Sequence, residues 1–160
     1  MRINAPNSKT GSNKKCRASR RGGYIMIKLI IGVKGSGKTK TLIEMVHKAL
    51  SETKGDVVCI EKGDKLRFDI KYQCRLVDTD QYLVTDAVSL YGFVAGILAS
   101  NHDVSDLFID SALKICKNDS GAFDEFLIKT DKLVSELGVN CLITSSLHPD
   151  DATETMKKYL

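Results

Sequence analysis

"MIKLIIGVKGSGKTKTLIEMVHKAL", Met26 to Leu50, decides how the chain is read. It opens on a nearly continuous apolar run, the mark of a strand buried on both faces of a parallel sheet. From Lys38 the period changes: Leu42, Met45, Val46, Ala49 and Leu50 recur at helical spacing, and Gly55 in "TKGD" is placed to stop the helix. Between the two periods, Gly32 to Thr39 packs three glycines, two lysines and two hydroxyls into eight residues.

The alternation continues outward. "DVVCIE" is a second buried strand and "CRLVD" a third, joined by the polar connection "KGDKLRFDIKYQ". "TDAVSLYGFVAGILAS" predicts a helix over 86–100 that is apolar almost all round and therefore centrally packed, with Gly92 and Gly96 admitting a close neighbour. The sharper reading of helix 86–100 is a surface for a protein partner or a second copy of the chain. "DLFID" is a fourth strand ending in an acid, and "SALKICKNDSG" reads as a polar connection. Phe123, Phe126, Leu127, Thr130, Leu133, Val134 and Leu137 mark one face of an amphipathic helix that Gly138 ends. "VNCLIT" is a fifth strand, running into "SSLHPDD" and a short final helix. Strands alternating with helices predict an α/β fold with a mostly parallel five-stranded sheet.

Composition narrows the function. Of 24 Lys and Arg, seven fall in residues 1–25 with no acid, which leaves 17 against 20 Asp and Glu, a net of −3, for residues 26–160. The folded part is mildly acidic, so charge gives no argument for nucleic acid. Residues 1–25 have no apolar period and read as a disordered basic segment. "SRRGGYIM" is what a purine-rich ribosome-binding site would encode if translated, so a start at Met26 is the expectation, with 26–160 as one domain. Five cysteines, an odd number without CxxC spacing, predict buried thiols in a reducing, cytoplasmic protein. No apolar stretch approaches the ~20 residues of a membrane span.

The glycine-rich stretch matches G-x-x-x-x-G-K-[ST] at Gly32, Gly37, Lys38 and Thr39. Chance would produce this in a chain of such length on the order of once in two hundred. The spacing has a physical reason: without Cβ atoms the backbone can wrap a phosphate chain, so that N–H groups and the positive helix end face the anion. Gly32, Val33, Lys34, Gly35, Ser36, Gly37, Lys38, Thr39 and Lys40 are then the phosphate-binding residues. Lys38 would reach the β- and γ-phosphates, and the Thr39 hydroxyl would ligate Mg²⁺.

On these motifs the chain resembles the P-loop NTPases, and within them the RecA-like (ASCE) branch; the likeness follows element order through nearly all of 26–160. It looks like the compact bacterial ATP-binding proteins loosely compared with twitching-motility (PilT-like) ATPases, without the histidine-containing box on which a motility role would rest. The resemblance implies a three-layer sandwich of P-loop NTPase type, ATP and Mg²⁺ as ligands, and Asp110 at the end of "DLFID" as the Walker B acid that holds the metal with Thr39. Thr144, Ser145 and Ser146 match the place of a γ-phosphate sensor. One position departs: hydrolysing members often carry Glu directly after the Walker B acid, and here Ser111 follows Asp110. Glu61, at the end of "VVCIE", is the best substitute for orienting the attacking water, ahead of Asp106, Asp78 and Asp80, which read as turn or capping residues. Arg67 and Arg75, the arginines of the 26–160 part, are the candidates for a cis guanidinium. His47, His102 and His148 lack metal-ligand spacing and read as surface or turn residues. The leading expectation is a small Mg-ATP-dependent ATPase with Lys38, Glu61 and Asp110 as catalytic residues. The alternatives are a nucleoside or nucleotide kinase resembling thymidine kinase, and an ATP-gated interaction module that does not hydrolyse.

Overall fold

A computed structural model describes residues 26–160; the expectations for residues 1–25, including Cys16, lie outside these. Five apolar segments form strands: β1 (Ile27–Gly32), β2 (Asp56–Glu61), β3 (Arg75–Asp78), β4 (Val104–Ile109) and β5 (Asn140–Ser146). They make one sheet in the order β1-β5-β4-β2-β3, and every pairing between these strands is parallel. Parallel neighbours need crossovers, which α1 (Lys38–Glu52), α2 (Ala87–Ser100) and α4 (Ser120–Leu137) supply except between β2 and β3, where the irregular connection 62–74 crosses.

Strand alternation divides the core. On one face Val57, Cys59, Phe108 and Leu142 meet Leu42 and Val46 of α1 and Leu66 of the connection after β2. On the other, Val58, Ile60, Leu107, Ile109 and Ile143 meet α2, α4 and the short C-terminal α5 (Glu154–Lys157). The result is the three-layer α/β sandwich that the alternation of elements implies, with each fully buried Leu or Ile contributing about 1.5–3 kcal/mol. Cys59, Cys74, Cys116 and Cys141 are free and buried, and burial pushes the thiols of Cys74 and Cys116 up to about 12. Among the described residues no helix is long and apolar enough to cross a membrane.

Four local expectations are corrected. The 111–121 stretch is not a polar connection throughout: α3 (Ala112–Ile115) buries Ala112, Leu113 and Ile115, with Cys116 behind them. A single turn is too short to show a period. Helix α2 is not packed all round: Asp86 and Ser89 cap it reciprocally, and only Ala87, Leu90, Val94 and Leu98 are buried. Its other side stays open, with Val88 80% exposed and no atom within 4 Å of where a Cβ on Gly92 or Gly96 would lie. Gly55 does not end α1, which closes at Glu52 with the Thr53 N–H donating to the Ala49 carbonyl. A Cβ on Gly55 would instead sit 2.6 Å from the Asp103 carbonyl oxygen, so this glycine admits a close backbone crossing. His47 is not a surface residue in full, since its Nε2 is buried with no hydrogen-bond partner.

Candidate functional site

Because every strand points the same way, the carboxyl ends of β1, β5, β4 and β2 lie along one edge of the sandwich, where ligands of such sheets gather. A cleft of about 580 Å³ opens there. Lys34, Gly35, Gly37, Lys38, Thr39, Lys40, Asp110, Thr144 and Ser146, all singled out from the sequence, line it.

The loop between β1 and α1 is built for this position. Gly37, at φ 86°, is the N-cap of α1 in the left-handed region, and no side chain caps the helix, so the N–H groups of its first turn are left to the cleft side. A Cβ on Gly32 would come 2.5 Å from the Ser36 Oγ and 3.3 Å from its Cβ, so Ser36 would have to turn aside for any larger residue there. The Lys38 ammonium reaches back across the loop, donating to the Val33 carbonyl at 2.8 Å and the Ser36 Oγ at 3.3 Å. Gly32, Val33 and Ser36 shape the loop without lining the cleft.

Asp110 follows β4 and is 6% exposed. Three hydroxyls converge on its carboxylate. Thr39 Oγ1 donates to Oδ1 at 3.2 Å, Thr144 Oγ1 to Oδ1 at 2.8 Å, and Ser111 Oγ to Oδ2 at 2.8 Å. Thr144 Oγ1 also accepts the Ser111 N–H, and Ser145 Oγ accepts that of Leu113, which ties the turn after β4 to the end of β5. Ser111 itself sits at φ 56°, a left-handed conformation that costs a non-glycine residue about 1–2 kcal/mol. Such strain gathers at functional sites. Thr39 and Asp110 together offer hard oxygens, one hydroxyl and one carboxylate. Among the described residues no group of three or more His, Cys, Asp or Glu is placed to hold a metal. One hydroxyl and one carboxylate are donors that suit Mg²⁺, which takes one or two protein oxygens and completes its shell with phosphate and water.

Glu61 does not line this cleft. It ends β2 on the same sheet face as Cys59 and is 2% exposed, and its Oε2 accepts the backbone N–H groups of Lys65 at 3.0 Å and Leu66 at 2.9 Å. Burial raises its carboxyl above the ordinary range, while the two N–H donors pull it back. The expectation that Glu61 faces the phosphate side to orient water is corrected: its carboxylate holds the turn after β2. Asp78 fixes the same turn by accepting the Gly63 N–H at 2.8 Å, and Asp80 pairs with Lys62 at 2.7 Å. The capping role read for Asp78 is the one it takes here, its Oδ1 also accepting the Asp80 N–H, whereas the Asp80 carboxylate serves the ion pair. Asp106 accepts from Ser105 and Asn140, away from the cleft.

Neither arginine reaches the cleft. Arg67 pairs with Asp64 at 3.6 Å on the surface beside a separate depression, and Arg75 lines a groove between β3 and α2. The cleft holds instead two lysines that the sequence analysis did not single out, Lys65 in the turn after β2 and Lys114 in α3, together with Asn118. A lysine in a polar connection carries no pattern; the usable signal was that both connections leave the carboxyl ends of strands. His148 is a local cap, its Nδ1 accepting the Asp150 N–H. The chain matches no protein-family model, and a comparison with curated proteins finds no match either.

Proposed function

We propose that the cleft binds Mg²⁺–ATP and that the chain is a small P-loop ATPase of slow turnover. The observation that carries this reading is the Thr39–Asp110 hydrogen bond, which brings the hydroxyl of a glycine-rich phosphate loop onto a buried carboxylate at the end of β4, two strands away in the sheet. The open N–H groups of α1 and the loop would take the β- and γ-phosphates. Lys38 would exchange its bonds to Val33 and Ser36 for phosphate oxygens, a charge-assisted contact of about 1.5–3 kcal/mol. Thr39 and Asp110 would hold Mg²⁺, which when bound neutralises charge on the β- and γ-oxygens. Thr144 and Ser111 keep the Asp110 carboxylate oriented. Slow turnover follows from the carboxylates: Asp110 alone lines the cleft, and Glu61 is engaged with backbone.

The engagement of Glu61, with Ser111 where hydrolysing members of the P-loop class often carry Glu, also favours a second reading, a nucleotide-gated module that binds without hydrolysis. Phosphate release from Mg²⁺–ATP separates the two. The ATPase reading requires release above the uncatalysed rate, lost in Asp110→Asn; Mg²⁺-dependent ATP binding with no release favours the module; absence of both rejects nucleotide chemistry in this cleft.

A further inference from the structure

Positive charge on the γ-phosphate beyond that of the loop speeds phosphoryl transfer, and among the described residues no arginine lines the cleft to supply it. We infer that Lys65 and Lys114 supply this charge in cis, as a pair that closes on the γ-phosphate from the two faces of the sheet; the inference rests on the nucleotide reading above.

The placement is specific. Leu66, next to Lys65, is buried in the core on the α1 face. Ala112, Leu113 and Ile115, around Lys114, are buried in the core on the opposite face. The two lysines thus enter one cleft from opposite sides of the strand ends, while Lys38 approaches from the loop. Each is exposed at its side chain and fixed at its backbone. The buried Glu61 carboxylate accepts the N–H of Lys65 itself, and the buried Thr144 and Ser145 hydroxyls accept those of Ser111 and Leu113, one on each side of Ala112 and just before Lys114. Among the described residues neither Lys65 nor Lys114 has a carboxylate within ion-pair distance, so neither has a competing partner. Buried polar groups are costly unless hydrogen-bonded, and three of them here satisfy backbone donors of just the two turns that carry these lysines.

In the step they serve, a water oxygen bonds to the γ-phosphorus and the bond to the β–γ bridging oxygen breaks. The bridging oxygen keeps the electron pair as part of ADP, and the water's proton passes to solvent, giving ADP, hydrogen phosphate and one proton. The lysines transfer no proton; they neutralise charge on the γ-oxygens. Glu61 is then a positioning residue for Lys65.

The test is binding of ADP and of ADP with aluminium fluoride, which imitates the phosphoryl group in flight, in the presence of Mg²⁺. Lys65→Ala and Lys114→Ala should each weaken binding of the aluminium fluoride complex about tenfold to a hundredfold while changing ADP affinity less than about threefold. Arg67→Ala should change neither. Glu61→Gln, whose amide oxygen still accepts two N–H groups, should keep the preference for the complex, and Glu61→Ala should lose it. A lysine variant that retains the wild-type preference overturns the inference. Wild-type protein that binds neither ligand overturns the nucleotide reading itself, a different result from one in which it binds both and the lysines prove indifferent.

Discussion

Thr39 and Asp110, 71 residues apart in sequence, meet through a 3.2 Å hydrogen bond from the threonine hydroxyl to the carboxylate Oδ1. That contact joins the start of α1 to the end of β4, two strands away from β1 in the sheet, and it sets a buried carboxylate beside the glycine-rich loop. Asp110 is buried, so its orientation depends on the hydroxyls around it.

Thr144→Val keeps the shape at a position 1% exposed but removes the donor to Asp110 and the acceptor for the Ser111 N–H. Leaving a buried donor and part of a carboxylate unsatisfied costs about 1–3 kcal/mol. Thermal unfolding should show a fall in Tm of several degrees, and Mg²⁺ should enhance ATP binding less than in the wild type. Unchanged melting would mean that water replaces the hydroxyl without loss.

Glu61 gives a pH dependence with a definite sign. Its folded-state carboxyl is raised by burial above the ordinary value of 4.5, so the native state binds this proton more tightly than the unfolded chain does. Its contribution is fully present below about pH 4.5 and is lost as pH rises through the folded value. Chemical denaturation from pH 4.5 upward should show this decline superimposed on the other groups, and Glu61→Gln should remove it. An identical pH profile in the variant would contradict the burial of this carboxylate.

Gly55 and Gly92 should respond to alanine in opposite directions. At Gly55 the added Cβ meets the Asp103 carbonyl oxygen at 2.6 Å, a backbone atom that cannot turn aside, and overpacking of this kind costs about 1–3 kcal/mol. At Gly92, inside α2 with open space beyond it, alanine should gain about 0.5–1 kcal/mol from helix propensity. Urea midpoints of the two variants check both signs. Equal shifts would mean that the Asp103 crossing is less tight than described.

The fold could be read where a period had room to appear. "DVVCIE" is β2 residue for residue, and α4 runs to the glycine expected to end it, Gly138 at φ 72°. Residues of α3 escaped because four residues hold no period, and α2 read as fully packed because small and apolar side chains look alike to a hydrophobicity pattern whether or not anything covers them. In the site, the loop could be placed by its spacing, and Asp110 by its strand's resemblance to a Walker B strand behind that loop. Glu61 could not: a strand end says which edge a side chain reaches, whereas its partners, the N–H groups of residues 65 and 66, come from a turn without a sequence signature. Lys65 and Lys114 were hidden for the same reason, since only the assembled sheet edge brings their connections to one cleft.

The central claim, that this cleft is a triphosphate site, is tested most directly by calorimetric titration of Mg²⁺–ATP into the wild type and Lys38→Ala. Lys38 is half-buried and its side chain bonds only to its own loop, so its loss should leave the melting temperature nearly unchanged. The account predicts saturable binding at one site in the wild type and a loss of at least about tenfold in affinity in the variant. Equal binding by both proteins, or none by the wild type, would contradict it.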